Sequence, residues 1–123
     1  MKTVLTSYSL IVRNVESSKR FVQLEELLDK MEILNYALND GIYDEKNKEA
    51  VFTSWEPTHW YFHENDMEEV SKKFPEEIFE LTCLDESNTT WKIYFQRGTK
   101  EFCAGSFIYE RPERIHWDEA LAF

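Results

Sequence analysis

The chain is short of the residues that punctuate and cross-link small proteins: three glycines, three prolines and two cysteines in 123 residues. Gly41, Gly98 and Gly105 are too widely spaced to write either common phosphate-cradling loop. Gly-x-Ser-x-Gly, His-Glu-x-x-His and Cys-x-x-Cys are all missing, which removes several large enzyme classes. No apolar run approaches the roughly 20 residues of a membrane-spanning helix. Residues 1–8 lack the apolar stretch and small-residue cleavage site of a secretory signal, so a cytoplasmic protein is the expectation. Bases are scarce as well. Fourteen Lys and Arg face 24 Asp and Glu, a net charge of −10, which argues against bare nucleic acid or an anionic membrane as partner.

Aromatic residues are plentiful instead: nine Phe, six Tyr and four Trp, enough apolar area for one well-packed core. The length suits one domain over residues 1–112, followed by a tail, 113–123, that holds Trp117 and Phe123. Residues 4–13 read as a strand, with Tyr8, Leu10 and Val12 alternating. Asn14 or Ser17 then caps a helix whose apolar stripe, Phe21, Leu24, Leu28, Met31 and Leu38, runs to a stop at Asn39-Asp40-Gly41. Residues 44–49 look like an exposed loop and 50–55 like a strand. A shorter helix is expected over about 64–73, ending before Pro75. The last third reads as three strands on short turns: Ile78 to Leu84, a run through Trp91, Ile93 and Phe95, and a return over 101–109. The expected class is therefore α+β, in the order β-α-β-α-β-β-β. An antiparallel sheet with a C-terminal meander carries two helices on one face, and a ferredoxin-like layout is the expected topology.

Candidate chemistry is sparse. His59, His63 and Asp66 stand at i, i+4 and i+7, the spacing that lines up two imidazoles and a carboxylate for zinc or a similar ion on a continuous helix. The competing reading starts the helix at His63, after Pro57 and the run Trp60-Tyr61-Phe62. It makes Asp66 a first-turn carboxylate facing the helix dipole. Cys83 and Cys103 fall on the first and third meander strands, about 10 Å apart against a Cα limit of roughly 7 Å for a disulfide, so both read as reduced thiols. Neither has a cationic neighbour, and burial would raise the thiol pKa, so pairing with His63 or His116 makes a poor nucleophile. Neither a catalytic residue nor a cofactor is expected.

Charge is distributed unevenly. Residues 56–86 hold ten acids and two bases, −8 of the total −10. This is either a solvated face or a carboxylate surface that meets a basic groove on another protein in place of nucleic-acid phosphates. On the second reading Glu64, Glu68, Glu69, Glu76 and Glu77 supply the charge. Trp55, Trp60 and Tyr61 either pack in the core or act as interface anchors.

Trp60-Tyr61-Phe62-His63-Glu64-Asn65-Asp66-Met67, then Ser71-Lys72-Lys73-Phe74-Pro75 and Phe79-Glu80-Leu81, followed by Trp91, Tyr94, Phe95 and Gly98, resembles a pattern of small proteins carried by phages, prophages and mobile elements. The likeness covers roughly residues 55–105. It implies a compact, ferredoxin-like α+β domain and a mobile-element setting, in which proteins of this size and charge often bind and block a host protein. The family's acidic Gly-Glu-rich turn is replaced here by Asp85-Glu86-Ser87-Asn88. The leading expectation is a non-catalytic acidic interaction domain that inhibits a nucleic-acid-binding or defence protein with a basic surface. The alternative is a small-ligand or metal-binding protein using His59, His63 and Asp66. A third is a subunit whose tail docks on a neighbouring copy.

Overall fold

Along β1 (Thr6–Arg13) burial alternates without a fault, with Thr6, Tyr8, Leu10 and Val12 inside and the residues between them half-exposed. A strand of period two can sit only where one face meets an apolar layer. The computed structural model describes residues 5–39, 41–54, 57, 58, 60, 62–87 and 89–104. Within it β1 is followed by α1 (Ser18–Lys30), α2 (Ile33–Tyr36), β2 (Ile42–Asp44), β3 (Glu49–Thr53), α3 (His63–Lys73), β4 (Ile78–Asp85), β5 (Thr90–Gln96) and β6 (Thr99–Ala104). The strands form one open sheet in the order β2-β3-β1-β4-β5-β6, with every neighbouring pair antiparallel.

Register places Phe52 and Leu81 on either side of Leu10, and Ala50 and Phe79 on either side of Val12. Ile93 and Phe95 extend the same face across β5. Leu24 and Leu28 of α1 and Met67 and Val70 of α3 join these residues in a single buried cluster, so both longer helices lie on this one face. Each helix begins as its residues dictate. Ser17 caps α1, its hydroxyl accepting from the Arg20 N–H at 3.1 Å. Helix α3 starts at His63, carries Glu64 and Asp66 in its first turn and Lys72 and Lys73 in its last, and so matches the helix dipole at both ends. The three-stranded meander is present, its last strand beginning at Thr99 rather than Glu101, and residues 105–109 of the expected return lie outside the described residues. The Asp85 carboxylate accepts from the Ser87 and Thr89 N–H groups at its first turn, and Arg97 and Gly98, both at positive φ, close the second.

The order β-α-β-α-β-β-β needs two corrections. The first helix does not run to Leu38. It ends at Lys30, Glu32 takes a left-handed conformation (φ 65°), and a single turn, α2, follows. A non-glycine residue there costs about 1 kcal/mol. Turning the chain at this point buries Ile33, Ala37 and Leu38, and a side chain of that kind contributes about 1.5–3 kcal/mol when fully buried. Periodicity could not reveal the break, because Met31 and Leu38 are seven residues apart and remain in phase along an unbroken helix. The second correction lies between the Asn39-Asp40-Gly41 stop and the loop expected over 44–49, and takes in the first residue of that loop. Residues 42–44 form a short edge strand paired with β3, and the Asp44 carboxylate closes the turn between them by accepting from Lys46 and Asn47 N–H.

Apart from the single turn α2, β1, α1, β2, β3, α3 and β4 run in the order β-α-β-β-α-β, with β3, α3 and β4 straddling β1 as a split βαβ unit does, and β5 and β6 extend the sheet beyond β4. Among the described residues no helix is long and apolar enough to cross a membrane.

Two carboxylates at the start of β4 are held out of water. Glu77 (side chain 2% exposed) accepts from Arg20 Nε at 2.7 Å and Nη2 at 3.3 Å, while the Arg20 guanidinium lies 4.2 Å over the Phe74 ring. Glu80 (3%) faces the opposite side of the sheet, hydrogen-bonded to Arg13 Nη1, with Lys92 Nζ 2.9 Å from its other oxygen. Removing one partner of such a pair strands the other charge. Because Arg20 and Arg13 keep some contact with water, Glu77→Gln and Glu80→Gln are each expected to destabilise the fold by about 2 kcal/mol, between the surface and fully buried ranges. Urea unfolding would measure it, and midpoints equal to the parent's would show that the pairs add no stability.

Candidate functional site

Among the described residues, Tyr8, Trp60, His63 and Cys83 meet at one end of the core. Tyr8 on β1 and Cys83 on β4 are cross-strand partners. Trp60 packs edge-on to Tyr8 (centroids 5.1 Å apart, rings at 74°), and His63 stands 5.7 Å from Tyr8 and 6.1 Å from Trp60. The dry surroundings hold Cys83 and Tyr8 in their neutral forms. Burial pushes the Cys83 thiol up to about 12, helped by the Glu64 carboxylate, so at neutral pH it carries its proton and is no nucleophile. Burial raises the Tyr8 phenol as well. The two cysteines lie on β4 and β6 with β5 between them, which rules out a direct bridge.

Of the three candidate metal ligands, His59 lies outside the described residues. The other two are already engaged. His63 Nδ1 donates to the Trp60 carbonyl at 3.0 Å, and the Asp66 carboxylate accepts the Trp60 indole N–H at 2.7 Å. His63 Nε2 is buried without a hydrogen-bond partner, and the Glu64 carboxylate is 3.9 Å away. Among the described residues no group of three or more His, Cys, Asp or Glu is placed to hold a metal ion.

The acidic segment is a cluster in sequence more than in space. Glu77 and Glu80 are buried against cations. Lys100 Nζ lies 2.9 Å from Glu64 and 3.0 Å from Glu68, whose carboxylates hold the ammonium above its ordinary range. Arg97 approaches Glu76 at 4.0 Å. The Glu86 carboxylate accepts the Leu5 N–H at 3.2 Å, and hydrogen bonds from Ser87 and Thr89 hold the Asp85 carboxyl below its ordinary range. Glu56 lies outside the described residues. Arg13, Arg20, Lys92, Arg97 and Lys100 all come from outside 56–86, so the fold brings five bases to the segment that lacked them. Glu69 stays exposed and free of ion pairs among the described residues.

The expected anchors are redistributed too. Trp60 is 2% exposed and belongs to the core, so it offers no surface to a partner, while Trp55 and Tyr61 lie outside the described residues. Among the described residues the exposed aromatic ones are Phe62, 67% accessible, and Phe102, 51% accessible. Phe62 is the N-cap of α3. Phe102 is on the helix side of β6, opposite Ile93 and two residues beyond Lys100. The β5–β6 turn touches the C-terminal end of α3, where the Gly98 N–H donates to Ser71 at 2.8 Å. Lys100 reaches Glu68 and Glu64, so β6 climbs toward the N-terminus of α3 and carries Phe102 toward the Phe62 end. Phe62 and Phe102 are thus exposed on the two elements, α3 with its cap and β6, that Lys100 ties together through Glu64 and Glu68. Sequence could not single out Phe102, because alternation looks the same on an edge strand as on a central one.

Comparison with family models, with curated proteins and with solved structures finds no match to this chain. The site therefore has to be judged on its geometry.

The state of Cys83 is directly measurable. At pH 8 a thiol of pKa about 12 carries roughly a thousandfold less thiolate than one at the ordinary value of 9.0. In a Cys103→Ser variant, Cys83 should resist iodoacetamide until the protein is unfolded. Alkylation of the native protein at the rate of a free thiol would restore the nucleophile reading.

Proposed function

We propose that the chain is a non-catalytic protein-interaction domain that meets a basic partner protein at the α3–β6 edge. Phe62 and Phe102 form the apolar contact there, and Glu64, Glu68 and Glu69 supply the charge around it. The observation that carries this reading is the exposure of Phe62 and Phe102 on the elements that bear Glu64, Glu68 and Lys100, while among the described residues Phe52, Trp60, Phe79 and Phe95 are drawn into the core. Interfaces favour that arrangement, an apolar centre with a polar rim. A net charge of −10 would steer a basic partner at long range.

The resemblance to phage and mobile-element proteins extends the proposal to an inhibitor of a host nucleic-acid-binding or defence protein, acting in the cytoplasm. The pairing of carboxylates with incoming bases narrows that extension. Rows of unpaired carboxylates would imitate a phosphate backbone, whereas here Glu77 and Glu80 are withdrawn and Glu64 and Glu68 share Lys100. Steering by net charge fits this surface better than imitation of phosphates.

The test is affinity capture from a bacterial lysate on the full chain, washed at about 0.05 M and about 0.5 M salt, where screening lengths differ severalfold. A nucleic-acid-binding protein held at low salt should be lost at high salt. It should also be lost with Phe62→Ser and Phe102→Ser combined, or with Glu68→Lys and Glu69→Lys combined. All four side chains reach the surface, so the variants should fold. Undiminished capture by both double variants would place any interface elsewhere.

A further inference from the structure

Glu64 and Glu68 stand at i and i+4 on α3, a spacing that puts two side chains on one stripe of a helix. Like charges at that spacing repel, and a counter-charge relieves the strain. Lys100 of β6, 36 residues from Glu64 in sequence, supplies it. Its Nζ lies 2.9 Å from Glu64 and 3.0 Å from Glu68, so one ammonium is seated between two carboxylates. Lys100 is the cross-strand partner of Phe95, which is buried among the core residues under the helices, so its stem leaves β6 on the helix side. A charge pointing inward from the last described strand is a familiar protection for a sheet edge. That role accounts for a lysine but not for two acceptors. One ammonium against two carboxylates leaves the group one negative charge in excess. The seat is also wet, since all three side chains keep between 30% and 35% of their surface exposed. An exposed ion pair shifts an equilibrium by no more than about fivefold. Lys100 is therefore held firmly enough to compete and loosely enough to leave.

We propose that Lys100 is an autoinhibitory plug, an internal competitor for the cation that a basic partner brings to Glu64 and Glu68. The proposal rests on the interface reading above and narrows its partner. While Lys100 is seated, an incoming side chain meets a group worth one negative charge. Once Lys100 is displaced, the same group offers two. A guanidinium is the better displacer, because its planar fork of donors pairs bidentately with a carboxylate, whereas an ammonium acts as a point charge. Lys100 thus sets a threshold at this surface. A lysine-rich surface competes with it on equal terms, and an arginine-rich one passes.

Calorimetric titration of the full chain with a synthetic oligoarginine peptide, at about 0.05 M salt to limit screening, tests the plug. Lys100→Met empties the seat and should tighten binding by about fivefold, the reach of an exposed pair. Lys46→Met is the charge-matched control. It removes the same charge from the turn between β2 and β3, at the opposite end of the sheet from β6, and should change the affinity far less. Lys100→Arg keeps the seat filled and should bind as the parent does. Equal gains from Lys100→Met and Lys46→Met would overturn the proposal and leave the interface reading standing, because net charge alone would explain them. Lys100→Met that binds no tighter while its β6 amides exchange faster would overturn it too, making Lys100 a structural tie. So would a peptide that binds none of the proteins; the lysate capture with the Phe62 and Phe102 variants then decides the interface reading separately.

Discussion

Buried carboxylates without counter-charges would unravel this fold, and the placement of Glu77 and Glu80 constrains three other elements. The two residues stand at the entry to β4 on opposite sides of the sheet, with the core residue Phe79 between them. Glu77 requires Arg20, which seats α1 against the end of α3 through the Phe74 ring. Glu80 requires Arg13 from β1 and Lys92 from β5, so one carboxylate ties three adjacent strands. Hydrophobic alternation already disfavours a one-residue slip, since it would turn Leu10 and Leu81 outward. The ion cluster adds a second penalty to the same error, because Lys92 would then enter the core without its partner. Position within the sheet and charge within the cluster thus specify one register.

That use of acids changes what net charge means here. In sequence, residues 56–86 read as a block of negative charge. In the fold, several of the same residues are turn closers, helix-dipole partners or halves of ion pairs, and the bases that answer them arrive from β1, α1, β5, the β5–β6 turn and β6. A negative field survives because acids outnumber bases by ten over the chain. What is lost is the ordered array, so the field can speed an encounter without dictating the geometry of the complex. Geometry has to come from apolar contact, which is why Phe62 and Phe102 matter more to the proposed interface than any single carboxylate.

How much could be read beforehand depended on the range of the signal. Ser17 as a cap, α3 over nearly its expected span, the Asp85 turn and the Arg97-Gly98 reversal are local features, and all were legible. The left-handed Glu32 was not, because the reason for it lies in the core that Ile33, Ala37 and Leu38 enter. Nor was β2, where Ile42 and Tyr43 are too few to show a period. The site was less legible still. The spacing of His59, His63 and Asp66 suggested ligands, but Asp66 faces an indole N–H that only the folded chain brings to it. Arg20 and Arg13, which answer Glu77 and Glu80, lie 57 and 67 residues away, beyond any motif.

Trp60 shows how one packing choice settles several functional questions together. A buried indole needs an acceptor for its N–H, and Asp66, two turns of chain away in sequence but adjacent in space, provides it. The Trp60 carbonyl in turn fixes His63 through Nδ1, and its ring covers Tyr8. Once Trp60 is inside, it cannot anchor a partner, Asp66 has given a hydrogen-bonding position to the indole, and His63 is tied at one nitrogen. The thiol on the neighbouring strand is pushed away from ionisation by the same dry surroundings. Chemistry would require at least two of these groups to be released, at the expense of the packing that closes this end of the core. An exposed edge needs none of them released. The α3–β6 surface proposed as an interface lies apart from this packing, so contact there would leave the core intact.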